Sequence, residues 1–145
     1  MKQFEEYLRA IGVPEGIQTR IDEILEISKR FLNADDINDI YISEYMAQNS
    51  REFESLWIYT DDFVSEAKNF RNAYNLDKIS LKCKLSYLNI VYEKYDFMNK
   101  KSTSDSRMTL NAQSSFGGFS CLLKGSGNNC EYLHDIFNKY YRDII

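Results

Sequence analysis

One proline, one histidine and six glycines in 145 residues exclude several kinds of protein. A lone histidine cannot furnish a multi-histidine metal centre. Glu131 and His134 make one E-x-x-H pair at helical spacing, but a di-iron bundle needs two such pairs on facing helices. The three cysteines, Cys83, Cys121 and Cys130, show no C-x-x-C spacing, which removes zinc ribbons and thioredoxin-like redox chemistry. Glycine is too sparse for a phosphate loop: Gly117-Gly118 and Gly125-Ser126-Gly127 have no Lys-Ser or Lys-Thr at the required distance. No apolar run approaches the roughly 20 residues of a membrane span. Glu5, Glu6 and Arg9 interrupt the N-terminus where a secretory leader needs an apolar stretch, so a reducing, cytoplasmic, bacterial-type setting with free thiols is expected.

What the chain does hold is aromatic. Eleven Tyr and nine Phe bring the aromatic content to 14%, within 43% hydrophobic and 28% charged residues, the balance of a globular protein whose core is filled by rings. The length predicts a single domain, 1–145. Net charge is -4, unevenly spread. Through Glu66 there are 15 acidic and 6 basic residues (-9), and from Ala67 onward 7 acidic and 12 basic (+5). The balance argues against a nucleic-acid partner and leaves an acidic and a basic half.

The hydrophobic period divides the chain. Phe4, Tyr7, Leu8 and Ile11 share a helical face that Gly12 closes, and Pro14 opens a second helix. Its stripe is Ile17, Ile21, Ile24, Leu25, Ser28, Phe31 and Leu32. Residues 1–33 therefore read as a helical extension. From residue 38 the period falls to two. Ile40, Ile42, Glu44 and Met46 alternate with Tyr41, Ser43 and Tyr45, and Leu56 and Ile58 alternate with Trp57 and Tyr59, which are expected to be buried. Residues 63–68 form a further strand after a turn at Thr60-Asp61-Asp62.

Ile79, Leu81, Cys83 and Leu85 face one way along a half-buried strand, with Lys82 and Lys84 on the other side. Beyond it the phase slips to Leu88, Ile90 and Tyr92, which requires a bend or bulge at Ser86 or Tyr87. Residues 99–106 read as a flexible loop, 107–113 and 119–124 as strands, and 128–143 as a terminal helix. Asn128 and Glu131 form its expected capping box, and Tyr132, Leu133, Ile136, Phe137, Tyr140 and Tyr141 its apolar stripe.

The run DKISLKCKLSYLNIVYEKYDF, the MTL and FSCLLKG strands and the helix CEYLHDIFNKYY occur in an order that resembles the pleckstrin-homology-like superfamily, over about two thirds of the chain. The resemblance implies an α+β fold with a mainly antiparallel, strongly bent sheet or partly open barrel of about six or seven strands. A C-terminal helix caps it, and the two N-terminal helices are an addition. It also implies a binding module for lipids, peptides or proteins that rarely performs chemistry. Lipid-binding members carry several basic residues in the first strand loop, whereas AQNSRE offers Arg51 with Glu52 beside it, so phosphoinositide binding is not expected.

The expected function is thus non-enzymatic recognition of a protein or peptide partner, without cofactor or metal. The alternative is a small acidic immunity or antitoxin-type protein that covers a basic toxin. Lys82, Lys84, Lys100, Lys101 and Arg107 form the candidate partner or anion-binding surface. Cys130 and His134 are i, i+4 neighbours. With no orienting acid specified, they read as a helix-start thiol and a solvated imidazole.

Overall fold

The computed structural model describes residues 4–47, 50–70, 75–80, 85–114 and 120–142. Their order is α1 (Glu5–Ala10), α2 (Glu15–Leu32), β1 (Asp39–Ala47), β2 (Ser50–Tyr59), β3 (Phe63–Lys68) and β4 (Asn75–Ser80). Then follow β5 (Leu85–Glu93), β6 (Arg107–Ser114), β7 (Ser120–Ser126) and α3 (Asn129–Ile136), which continues as a wider π-helical stretch, Phe137–Tyr141. The α+β class expected from the periodicity is present. Seven strands form two antiparallel sheets, ordered β1-β2-β3-β4 and β5-β6-β7, and among the described residues they do not close into a barrel. The chain divides into two compact units, one of residues 1–42 and 54–81, the other of 43–53 and 82–145.

In the first unit α1 ends where Gly12 takes φ +79, a left-handed conformation that lets the amides of Gly12 and Val13 reach back to Arg9 and Leu8. Pro14 occupies the N-cap of α2, and Asn33, at φ 51, closes its C-terminus. The buried stripe of α2 is Ile21, Ile24, Leu25, Ser28 and Leu32, and the helix lies against β3 and β4. Phe31, assigned to that stripe by spacing, is instead 40% exposed beside Ile27. The i, i+4 pair of Ile27 and Phe31 runs along the helix flank, one position off the buried row. Trp57 and Tyr59 are buried as expected, and so are Leu56 and Ile58, so this part of β2 is covered on both faces.

The second unit is built on β5-β6-β7. Leu88 pairs with Ala112, Ile90 with Leu110 and Tyr92 with Met108, while Leu110 pairs in turn with Leu123 and Ala112 with Cys121. The inward residues of β6 and β7 are buried and α3 lies across them, contributing Cys130, Leu133 and Ile136. Each fully covered aliphatic side chain contributes about 1.5–3 kcal/mol. The pairing shifts by one residue between Leu85 and Tyr87, the bulge that the phase slip demanded.

Two expectations about the chain path change. The alternation over 79–86 reads as one strand, but Ile79 and Ser80 finish β4 in the first sheet and Leu85 begins β5 in the second; Leu81, Lys82, Cys83 and Lys84 lie outside the described residues. Phe137 is half-buried, whereas Tyr141 is 1% exposed. Here the helix widens, with the Arg142 amide bonding to the Phe137 carbonyl five residues back, and the wider turn carries Tyr141 to the inner face.

Candidate interaction surfaces

The edges of the three-stranded sheet are treated differently. Along β7, side chains from β1 occupy backbone donors: Ser43 Oγ accepts from the Lys124 amide at 2.9 Å, and Glu44 Oε2 accepts from the Ser126 amide at 2.8 Å. The Glu44 carboxylate also accepts from the Ser126 hydroxyl at 2.7 Å and from Asn129 Nδ2 at 2.9 Å, and the residue is completely buried. Burying a carboxylate is costly unless several donors meet it, as these do. A glutamate inside an alternating strand gives no hint in sequence that its donors stand more than 80 residues away.

The other edge, β5, is a nine-residue strand that, among the described residues, is hydrogen-bonded in the sheet to β6 alone. Its outward residues Tyr87, Asn89, Val91 and Glu93 are exposed, with Tyr87 48% and Val91 44% accessible. Its inward residues Leu88, Ile90 and Tyr92 are only half-buried, although their partners on β6 are fully covered. The strand LSYLNIVYE has no proline and no lysine, the residues that commonly blunt an edge.

The loop joining β5 to β6 is the second surface. Composition predicts flexibility, yet side chains close it into successive turns. Asp96 and Lys101 exchange backbone hydrogen bonds at 3.1 and 3.2 Å, and the Asp96 carboxylate accepts from the Asn99 side chain at 2.8 Å and its amide at 3.2 Å. Those bonds hold the Asp96 carboxyl below its ordinary range. Ser106, fully buried, donates from Oγ to the Lys94 carbonyl and accepts from the Thr103 amide. The Ser102 amide donates to Glu131 at 2.6 Å. Glu131 is therefore bonded to this loop, and Asn128 makes no side-chain cap, so the expected capping box does not form.

This hydrogen-bonded loop carries Phe97 at 64% and Met98 at 94% exposure. Behind Phe97 stand Tyr95 and Tyr92, with ring centroids 5.0 and 5.6 Å away, and behind them His134, stacked on Tyr92 at 5.3 Å and 27°. Burial, then the nearby Glu131 carboxylate, pushes the Tyr95 phenol above its ordinary range. The solvated reading of His134 is corrected: the residue is half-buried and its Nε2 is enclosed without a hydrogen-bond partner. The Tyr92 ring, from β5, and the Tyr95 ring, from the loop that follows it, displace solvent from it. Cys130 is buried and its thiol points to the Gly125 carbonyl at 3.5 Å.

Of the basic residues singled out by sequence, Lys100 and Lys101 are exposed in this loop and Arg107 begins β6, opposite Glu93. Lys82 and Lys84 lie outside the described residues. The structure adds exposed Lys94, and it adds Phe97 and Met98. An adjacent Phe-Met in a polar loop ahead of Asn-Lys-Lys was the available signal. Among the described residues no cluster of three His, Cys, Asp or Glu is arranged to hold a metal, and no helix is long and apolar enough to cross a membrane. Comparison with protein-family profiles, with curated proteins and with solved structures gives no match.

Proposed function

We propose that the chain is a non-enzymatic, cytoplasmic interaction module of pleckstrin-homology-like type, and that its partner presents an extended peptide segment which adds as a strand to the free edge of β5. One observation carries this reading: the β7 edge is occupied by Ser43 and Glu44, while β5 offers nine residues of edge beside a half-covered row of Leu88, Ile90 and Tyr92. An added strand satisfies the edge amides and carbonyls, and its alternate side chains cover that apolar row. Affinity then comes largely from main-chain bonds, and specificity from the residues facing Leu88 and Ile90. Seven strands followed by a terminal helix packed on the second sheet support the superfamily assignment.

A displayed library of random peptides selected against the full chain tests this. Enriched peptides are expected to alternate apolar and polar residues. Methylating their backbone nitrogens one at a time should weaken binding at every second position, since only alternate amides face the strand. Loss at consecutive positions, as for a helical ligand, or no loss at all, would refute strand addition.

A further inference from the structure

We propose a second interaction surface, independent of the peptide edge: the β5–β6 loop inserts Phe97 and Met98 into the surface of an anionic bilayer, with Lys94, Lys100 and Lys101 on the lipid phosphates. Two large apolar side chains stand side by side in water, 64% and 94% exposed. Their presentation is built rather than incidental. The Asp96–Lys101 backbone pair and the Asn99 bonds to the Asp96 carboxylate fix the turn that carries them, so little ordering entropy remains to be lost on insertion.

The backbone at two of the lysines is unusual as well. Lys94 and Lys100 adopt φ 52 and 53, a left-handed backbone that glycine reaches at lower cost, and both side chains are exposed. Acidic groups are nearby: Asp96 is engaged by Asn99, Glu93 faces Arg107 across the strand pair, and Asp105 is exposed. From Lys94 to Arg107 four cations meet two anions.

Size selects a bilayer over a protein for this tip. A stable protein interface covers about 800 Å² on each partner, far more than one Phe-Met pair supplies. A membrane surface demands no shape complementarity. It accepts Phe and Met into the acyl boundary, Tyr95 at the headgroup level and lysines reaching the phosphates along their aliphatic stems.

The test is sedimentation of the full chain with vesicles of phosphatidylcholine alone and with about 30% phosphatidylserine added, at about 0.1 M salt. Binding is expected only to the phosphatidylserine vesicles. Each lysine near an anionic surface changes partitioning about fivefold, so Lys100→Gln with Lys101→Gln should lower it about 25-fold. Phe97→Ala with Met98→Ala should lower it about tenfold or more, and Met98→Trp should show a blue-shifted emission on the same vesicles. Failure of the wild-type chain to sediment with phosphatidylserine vesicles overturns the proposal, as does wild-type binding by the Phe97/Met98 variant. Retention on immobilised polyglutamate that depends on Phe97 and Met98, without vesicle binding, would reassign the loop to an acidic protein.

Discussion

Removing the carboxylate of Glu44 should destabilise the second unit more than truncating any exposed residue of the chain. The group is completely buried and accepts hydrogen bonds from the Ser126 amide, the Ser126 hydroxyl and Asn129 Nδ2. In Glu44→Ala the hydroxyl can rotate, but the Ser126 amide is fixed by the strand and Asn129 by the first turn of α3. Each buried donor that loses its acceptor costs about 1–3 kcal/mol. Relief of the buried charge offsets part of this, leaving an expected loss of about 3–5 kcal/mol. Glu44→Gln keeps the volume and one carbonyl but points an amide donor at another donor, for about 1.5–3 kcal/mol. Ser43→Ala, which removes the acceptor of the Lys124 amide, should cost about 1 kcal/mol. Urea unfolding followed by far-ultraviolet circular dichroism gives the three values, and amide exchange at Ser126 reports the site directly. A cost below about 1 kcal/mol for Glu44→Ala, or Glu44→Gln matching wild type, would refute the reasoning.

Tyr141→Ala should cost about 3–5 kcal/mol and Phe137→Ala less than half of that; equal costs in urea unfolding would place Phe137 in the core and remove the π-helical phase shift. His134→Phe should be neutral or stabilising by up to about 1 kcal/mol, because a ring remains on Tyr92 and an enclosed nitrogen is lost, while His134→Ala should cost about 1–2 kcal/mol; thermal melts that reverse this order would contradict the stacking account. Burial raises the carboxyl pKa of Glu66, and Asp77 directly opposite and Glu54 add to it against Lys68 and Ser55. Its stabilising contribution is therefore present below the unfolded value and lost as pH rises through the folded one. Glu66→Gln should accordingly raise the urea midpoint at pH 7 but not near pH 4, and an unchanged or lowered midpoint at pH 7 would count against this.

Periodicity carried the element order because it depends on burial of alternate or every third and fourth residue, which neighbours in the chain decide. It located the bulge at Leu85 to Tyr87 for the same reason: Leu85 and Leu88 cannot share a face of a regular strand. It could not divide Ile79 from Leu85, since alternation reports which side of a strand is apolar and not which sheet the strand joins. Glu44 was invisible because its donors, Ser126 and Asn129, are brought in by tertiary packing. The hydrogen bonds of the loop were hidden for a related reason. Asn, Lys, Ser, Thr and Asp are common in mobile segments, but here Asp96, Ser106 and Glu131 satisfy the backbone that would otherwise remain solvated. The exposed Lys100 and Lys101 were legible from composition. The adjoining Phe97 and Met98 left only the signal of an apolar pair beside those lysines, and such a pair after a strand reads as more strand until the turn at Asp96 is seen.

The most direct test of the central claim is amide hydrogen exchange of the full chain with and without a selected peptide. Slowed exchange is expected at alternate amides of β5, residues 85–93, with the Lys124 and Ser126 amides of β7 unchanged because Ser43 and Glu44 already bond them. Protection confined to α2 or α3, with β5 exchanging as in the free protein, would contradict it.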